Sequence, residues 1–320
     1  MSRNLMLAVI LLIASSLFWS GNFFFGKVAH ITDLSPFKLS FFRWSLALLL
    51  LLPFTLKSIL ENLNYYKENF LLITTLSILS VTIFNSFTYI SLQTTLVLNS
   101  TIMASTAPVI MIGFSWLMFR TKITKLQLIG IILSLLGALA IILKGNLNNL
   151  YTLNFTIGDI WMFAAVISWC LYSVLLKKMD TSIPQLASLE VMIIIGLFFI
   201  IPFYLFESFN GTFLLSSSYD FFIIIYVAIF ASIAAYFAWN KGVYLIGPNR
   251  AGLFLHFIPV FAAIWAITFL NESFAIFHIV GVFFIITGII LSNIRFKNEQ
   301  NSQNCSVMEI SSHGRRVLCN

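Results

Sequence analysis

The sequence predicts an all-α integral membrane protein in which ten transmembrane helices form two inverted five-helix repeats. The mean hydropathy is +0.98, and 60% of the residues are hydrophobic while only 9% are charged. Residues 99–145 also align with residues 250–296 at a constant offset of 151. Finally, the basic residues concentrate in every second loop between the hydrophobic stretches. Respectively, these observations predict that the protein lies in a membrane, that its two halves are duplicates, and how it is oriented.

The composition excludes a soluble globular protein, because soluble domains carry about a quarter charged residues. The net charge of +7 does not indicate a nucleic-acid partner, because the basic residues lie in short loops rather than on one face. The three cysteines, Cys170, Cys305 and Cys319, have neither a disulfide nor a metal-ligand spacing. We therefore predict no cofactor, no metal and no nucleic acid, and name the lipid bilayer as a partner.

Apolar stretches of about 20 residues are long enough to cross a hydrocarbon core of about 30 Å as helices. The stretches do not alternate between apolar and polar residues, which excludes a membrane β-barrel. The ten predicted helices lie at 5–28, 35–56, 70–92, 95–118, 123–143, 156–176, 184–206, 221–243, 246–270 and 274–294.

Landmark residues recur at a nearly constant spacing in the two halves. At the offset of 151, the corresponding pairs are Pro108 and Pro259, Gly130 and Gly281, Gly137 and Gly288, and Ser105 and His256. Upstream the offset is 149 or 150, and the pairs are Trp19 and Trp169, Lys27 and Lys177, Pro53 and Pro202, and Tyr89 and Trp239. Because five is an odd number of spans, the second copy is inverted in the bilayer. Inverted repeats are the construction of alternating-access transporters.

The loop charges predict that both termini are cytoplasmic, because cytoplasmic loops carry an excess of Lys and Arg. The side that contains the N-terminus collects Arg3, Lys57, Lys67, Arg120, Lys122, Lys125, Lys177, Lys178, Lys241, Arg250, Arg295, Lys297, Arg315 and Arg316. The other side collects only Lys27, Lys38 and Lys144. We expect an integral protein of the plasma (inner) membrane.

The chain divides into three parts by this reasoning. Residues 1–150 form the first five-helix repeat, residues 151–294 form the second, and residues 295–320 form a polar cytoplasmic tail. The tail is rich in Asn, Gln and Ser and has no apolar period, which is typical of disorder.

Residues 247–291, GPNRAGLFLHFIPVFAAIWAITFLNESFAIFHIVGVFFIITGIIL, resemble the EamA unit of the drug/metabolite transporter superfamily. Residues 101–143, TIMASTAPVIMIGFSWLMFRTKITKLQLIGIILSLLGALAIIL, repeat that pattern of a helix with a central Pro followed by a helix with Gly seven residues apart. The string Phe42-Arg43-Trp44 is also similar to the family. The sequence departs from the pattern where Arg120-Thr121-Lys122 replaces the acidic loop that contains Glu272 in the second half.

The resemblance covers residues 5–294 and implies a secondary transporter of a small organic solute, such as an amino acid, a nucleobase, a sugar or a drug. In agreement, the sequence contains no Gly-rich phosphate loop of the kind that ATPases use. The EamA-type unit is thus expected to work without ATP, and we expect the chain to act as a monomer.

Two charged residues lie inside the predicted spans, where a charge costs about 2.5–3.5 kcal/mol on insertion scales. Arg43 lies in the second span and Glu190 in the seventh, close to the position that corresponds to Arg43. They are candidates for the substrate pathway, and Glu190 is also a candidate proton carrier. The alternative is that each side chain extends to its nearer membrane surface.

Polar side chains form matching stripes on the third and eighth spans. Asn85 and Tyr89 lie on one face of the third span, and Tyr236, Trp239 and Asn240 lie on the eighth. Polar stripes in lipid face protein or a water-filled cavity. We predict that these residues line a central cavity, whereas hydrogen bonding between helices is the alternative.

The first and sixth spans contribute two further predicted pathway pairs. These are Trp19 with Asn22 and Trp169 with Tyr172. The tryptophans lie near mid-span although tryptophan ordinarily prefers the membrane interface. They are therefore predicted either to stack on a flat or cationic solute or to pack the two halves together.

The fourth and ninth spans each contain a proline, Pro108 or Pro259, that is predicted to kink the helix and to serve in gating. His256 precedes Pro259 and is a pathway candidate that would relay protons or bind an anionic group. Glu190 and His256 leave proton coupling open.

Two other functions are compatible with a polytopic membrane protein. A non-transporting receptor or scaffold would use the tail as its docking surface. An integral membrane enzyme would require clustered His, Asp or Glu near one membrane face, and the four histidines are scattered along the chain. We predict that the protein is not an enzyme.

Overall fold

The computed structural model describes residues 3–95, 97–150, 156–209, 215, 218–270 and 275–293. These residues form helices and connecting loops, without a β-strand in the described ranges. Eight helices are long and apolar enough to cross a membrane: α1 (Arg3–Ile31), α2 (Pro36–Glu61), α3 (Phe70–Thr94), α4 (Asn99–Phe119), α5 (Lys125–Ile142), α6 (Ile157–Lys178), α7 (Gln185–Phe209) and α8 (Tyr219–Ile246). Phe54 and Leu71 are 82% and 81% exposed, as expected for side chains that face lipid.

The remaining two predicted spans differ from the first eight. The ninth, α9, consists of Pro248–Gly252, a 3₁₀ segment Leu253–His256 and Phe257–Leu270. The tenth, α10 (Ile276–Asn293), contains a shorter apolar helix. Eight of the ten predicted spans are therefore supported by length and composition. The predicted tail, residues 295–320, lies outside the described residues.

Helices α5 and α10, which correspond to each other in the two repeats, pack in antiparallel directions. A Cβ atom on Gly130 would lie 2.4 Å from the carbonyl oxygen of Gly288, and one on Gly137 would lie 2.6 Å from that of Gly281. Since Gly130 corresponds to Gly281 and Gly137 to Gly288, each contact is the twofold image of the other. The missing side chains allow the two backbones to approach closely.

Helices α2 and α7 also correspond to each other and pack in antiparallel directions. The ring of Phe37, near the start of α2, stacks on that of Phe203, near the end of α7, with centroids 4.8 Å apart. The Glu207 carboxylate accepts the backbone N–H groups of Phe37 and Lys38 at 3.0 and 3.2 Å. A carboxylate at a helix N-terminus is favourable because it satisfies free N–H groups and opposes the helix dipole.

Asp159 is buried at the start of α6. Its carboxylate accepts the backbone N–H of Thr156 at 2.7 Å and the side chain of Asn99 at 3.5 Å. The hydroxyl of Thr95 donates to the same carboxylate. This acid therefore connects the α3–α4 corner to the first turn of α6.

Candidate functional site

Arg43 is completely buried and joins four helices. Its Nε donates to the Ser232 hydroxyl of α8 at 2.8 Å. Its Nη1 donates to the amide oxygens of Asn22 (3.1 Å) and Asn85 (2.7 Å), and to the Tyr89 hydroxyl. We call Arg43 and these four partners the arginine cluster. It brings together residues that the sequence analysis assigned to three different spans.

The positive charge of Arg43 is held by neutral groups. A guanidinium stays protonated in proteins, so burial cannot be relieved by loss of a proton. The rings of Trp44 and Tyr89 lie 4.9 and 5.7 Å from its Cζ, close enough for cation–π attraction. Within the described residues, Arg43 has no acidic partner, whereas Lys57 pairs with Glu61 on the exposed end of α2.

Two π-helical segments, Ile78–Phe84 in α3 and Val227–Ala234 in α8, lie at corresponding positions of the two repeats. Such segments insert an extra residue into a turn and are frequent at functional sites. The carbonyl oxygen of Ser80 accepts the Tyr236 hydroxyl and the Asn85 side-chain amide, each at 2.7 Å. The π-helix thus positions Asn85, which binds Arg43.

The second π-helix supports the tryptophan pair in the same way. The Ala231 carbonyl accepts the Trp19 indole N–H at 3.1 Å. The Val227 carbonyl accepts the Ser232 hydroxyl at 2.8 Å, and that hydroxyl in turn accepts from Arg43. Irregular backbone in both halves therefore supplies acceptors to the centre of the bundle.

Five of the predicted pathway residues form an aromatic cluster. Trp19 and Trp169, which correspond in the repeat, contact each other edge to face with centroids 4.8 Å apart. The Trp169 ring also lies 5.1 Å from Tyr172, 5.3 Å from Tyr236 and 5.6 Å from Trp239. These separations are typical of attractive aromatic pairs. Trp169 is the centre of the aromatic cluster.

Hydrogen bonds orient two of these rings. The Tyr172 hydroxyl donates to the Asn240 amide oxygen at 2.8 Å, and the Trp239 indole donates to the Ser173 hydroxyl at 3.1 Å. These contacts connect α6 to α8. The indole of Trp169 differs from those of Trp19 and Trp239. Its Nε1 is buried and has no hydrogen-bond partner among the described residues.

A narrow cavity lies beside the two clusters. Its lining residues are Trp19, Asn22, Phe23, Phe84, Ala104, Ala107, Met162, Val166, Trp169, Leu255 and Ile258. Its volume of about 20 Å³ accommodates about one water molecule, so an organic solute requires the helices to move apart. Asn22 belongs to both the cavity wall and the arginine cluster. Tyr89 and Trp239 lie in the clusters and not on this wall.

His256 contacts its repeat counterpart directly. The distance between Nε2 of His256 and the carbonyl oxygen of Ser105 is 3.0 Å, and the ring is completely buried. Both helices are irregular here, because α4 breaks at Thr106 and α9 has its 3₁₀ segment at Leu253–His256. The breaks fall immediately before Pro108 and within one turn of Pro259, where the sequence predicted kinks.

Glu190 forms no hydrogen bond with either cluster. Its side chain is completely buried, and neither carboxylate oxygen has a hydrogen-bond partner among the described residues. Arg43 and Glu190 are therefore both inaccessible to solvent in this structure, and they do not form an ion pair with each other.

Sequence reasoning missed three contributors to the site. Trp44 and Phe84 pack against the aromatic cluster, with centroid distances of 5.2 Å to Tyr236 and 4.6 Å to Trp169 respectively. The π-helices were also missed, because a hydropathy pattern does not mark an inserted residue. A signal existed for Trp44, which is adjacent to Arg43 in the family-like string.

The fold and the site define a polytopic helical membrane protein with twofold-related halves and a buried polar and aromatic centre. The model of the EamA-like transporter family matches residues 6–143 and again residues 156–294. The chain belongs to this family.

Curated relatives agree with that assignment, and a solved structure shares the fold. The chain is 31% identical over 199 residues to the "Uncharacterized transporter YetK" of Bacillus subtilis. The aligned region covers 62% of this chain and 60% of the relative. It is 26% identical over 288 residues to an "Uncharacterized transporter" of Archaeoglobus fulgidus. This aligned region covers 89% of this chain and 97% of the relative. A crystal structure with 13% identity has a TM-score of 0.68, covers 90% of this chain and 96% of that chain, and shows the same fold.

Family membership and the names of these relatives point to a membrane transporter and not to an enzyme. The apolar helices agree with an integral membrane protein.

Proposed function

We propose that the protein is a secondary transporter that moves a small organic metabolite, such as an amino acid or a related compound, by alternating access. The observation that carries this proposal is the twofold relation between helix contacts. The contact between Gly130 and Gly288 is the twofold image of the contact between Gly137 and Gly281, and α5 and α10 are antiparallel. Antiparallel corresponding helices support two inverted halves of five spans each, which is the architecture of alternating-access carriers.

In this proposal the solute binds between the halves, next to Trp19 and Trp169, and the structure represents a closed state. The helix breaks before Pro108 and Pro259 act as hinges, because a broken hydrogen-bond ladder lets the two parts of a helix rotate. Two further contacts join corresponding residues of the two halves: Trp19 with Trp169 and Ser105 with His256. Rocking of one half against the other would open the cavity alternately to each side.

The proposed orientation places both termini in the cytoplasm of a cell whose plasma (inner) membrane holds the ten spans. We expect a membrane-impermeant maleimide to label His30→Cys in intact cells and to label Glu61→Cys only after permeabilisation. Both positions are exposed, and both variants are made in a chain whose three natural cysteines are replaced by Ser. The opposite labelling pattern would contradict the orientation.

Proton coupling is a hypothesis that Glu190 makes testable. A carboxyl group that is buried without a partner changes the interior charge whenever it gains or loses a proton. We expect Glu190→Gln to abolish the stimulation of flux by an imposed proton gradient and to preserve solute exchange at equal pH on both sides. Stimulation that persists in Glu190→Gln would exclude this residue as the carrier, and His256→Gln is then tested in the same way.

The solute is found by untargeted measurement of metabolites in a host that expresses the protein. We expect a small set of organic metabolites to change concentration across the membrane relative to cells that express Trp169→Ala. If no metabolite changes in concentration while the protein is folded in the membrane, the transport proposal is rejected in favour of a non-transporting receptor or scaffold.

A further inference from the structure

Arg43 has binding capacity that the protein leaves unused. A guanidinium carries five N–H donors, one on Nε and two on each terminal nitrogen. Nη2 is buried and has no hydrogen-bond partner among the described residues. A buried donor without a partner costs about 1–3 kcal/mol, and more for a charged group. The protein therefore retains a fully buried cation, with one terminal nitrogen unsatisfied, at the centre of the bundle.

The other terminal nitrogen is surrounded by more acceptors than it has hydrogens. Nη1 has two N–H groups, yet the oxygens of Asn22, Asn85 and Tyr89 all lie within hydrogen-bond distance. The Tyr89 hydroxyl also lies 2.8 Å from the Asn22 amide oxygen and donates to it. One of the three oxygens can therefore leave Nη1 without reducing the number of bonds that Nη1 makes.

An arrangement with a free Nη2 and a replaceable acceptor on Nη1 matches one ligand geometry. A carboxylate binds the two terminal nitrogens of a guanidinium end-on, through two parallel N–H···O bonds. Such a ligand would neutralise the charge and satisfy Nη2 in one step. The partners of Arg43 in the protein are neutral, so the ligand does not have to displace a resident carboxylate.

The surroundings indicate that the anion is organic. Asn22, a partner of Arg43, lines the cavity, whose other walls include the rings of Trp19, Phe84 and Trp169. Nε1 of Trp169 is a second buried donor without a partner in the described part of the chain. Apolar aromatic walls favour a ligand with a hydrophobic body, and they do not compensate for the hydration that a small inorganic ion would lose.

We propose that the transported solute is an organic carboxylate, that Arg43 binds its carboxylate end-on, and that the aromatic cluster contacts its apolar body. This inference rests on the transport function proposed above. A phosphate ester fits less well, because its charge of about −2 at neutral pH calls for a second cation, and the described lining and cluster residues include only Arg43 as a basic side chain.

The test compares acids with their amides in purified protein. The probes are phenylacetate with phenylacetamide and 3-phenylpropionate with 3-phenylpropanamide, and the readout is quenching of tryptophan fluorescence. We expect the wild-type protein to bind each acid at least about tenfold more tightly than its amide, because charge-assisted bidentate bonds are roughly twice as strong as neutral ones. Arg43→Gln is expected to abolish the preference, and Arg43→Lys to reduce it, because lysine lacks the planar fork.

Lys57→Gln is the matched control, because it removes one positive charge from an exposed side chain at the end of α2. We expect it to keep the wild-type preference. If Arg43→Gln does not fold, the comparison of acid and amide in the wild-type protein still decides. Equal binding of acids and amides by the wild-type protein, no binding of either acid, or a preference that survives in a folded Arg43→Gln would overturn the proposal.

Flux in proteoliposomes separates this inference from the transport function. If the wild-type protein exchanges acids and Arg43→Gln does not, the result supports both the carboxylate site and the transport function. Exchange of amides that Arg43→Gln leaves intact would overturn the carboxylate assignment and keep the transporter. Acid binding without any flux would overturn the transporter and retain the carboxylate site.

Discussion

Trp169→Ala is expected to lower solute flux by at least about tenfold and to reduce the free energy of unfolding by about 3–5 kcal/mol, the usual cost of truncating a buried tryptophan. Trp169 contacts Trp19, Tyr172, Tyr236 and Trp239 through its ring and also lines the cavity. Its loss removes the Trp19–Trp169 contact between the two halves and leaves a void in the aromatic cluster. Flux per folded molecule is measured in liposomes, and unfolding is followed in detergent.

Two variants separate function from stability in this experiment. Trp169→Phe keeps an aromatic ring and is expected to retain most of the stability and part of the flux. Trp116→Ala removes a tryptophan that is 53% exposed on α4, and it is expected to leave flux unchanged. Full flux in a folded Trp169→Ala would show that the aromatic cluster is not part of the pathway.

Gly130→Ala and Gly137→Ala are expected to destabilise the protein by about 1–3 kcal/mol each, which is typical of overpacking in a filled interior. Each new Cβ atom would lie less than 3 Å from a backbone carbonyl oxygen of α10, so the two helices must separate. Because α5 and α10 join the two repeats, their separation weakens the twofold interface. Thermal unfolding in detergent measures the effect.

Gly113→Ala is the matched control for these substitutions. Gly113 lies on α4, and a Cβ atom there would meet no atom within 4 Å. We expect its unfolding temperature to stay at the wild-type value or to rise slightly, since alanine favours a helix more than glycine does. Equal stability of all three alanine variants would contradict the close approach of α5 and α10.

Much of the architecture follows from the sequence, because a duplicated chain repeats its physical constraints. The glycine spacing in residues 101–143 recurs in residues 247–291, and the same glycines contact each other across α5 and α10. The helix breaks near Pro108 and Pro259 follow from the missing backbone N–H of proline. These features depend on residue type and spacing along the chain, which a sequence displays directly.

The centre of the site was less predictable, because it depends on contacts between distant segments. The polar stripe on α3 indicated Asn85 and Tyr89, but only the packed bundle brings them to Arg43. The π-helices shift the register of α3 and α8 without a mark in the hydropathy pattern. In the proposed carrier, the cavity volume would depend on the conformation of the protein, and a sequence is compatible with every such conformation.

The central claim is that the two halves move a solute across the membrane without ATP, and solute counterflow tests it most directly. Proteoliposomes are loaded with an excess of an unlabelled metabolite found in the host experiment, and a trace of the labelled compound is added outside. We predict transient accumulation of label inside, which is lost in Trp169→Ala and retained in Trp116→Ala. Absence of accumulation with folded wild-type protein, for every metabolite tested, would contradict the claim.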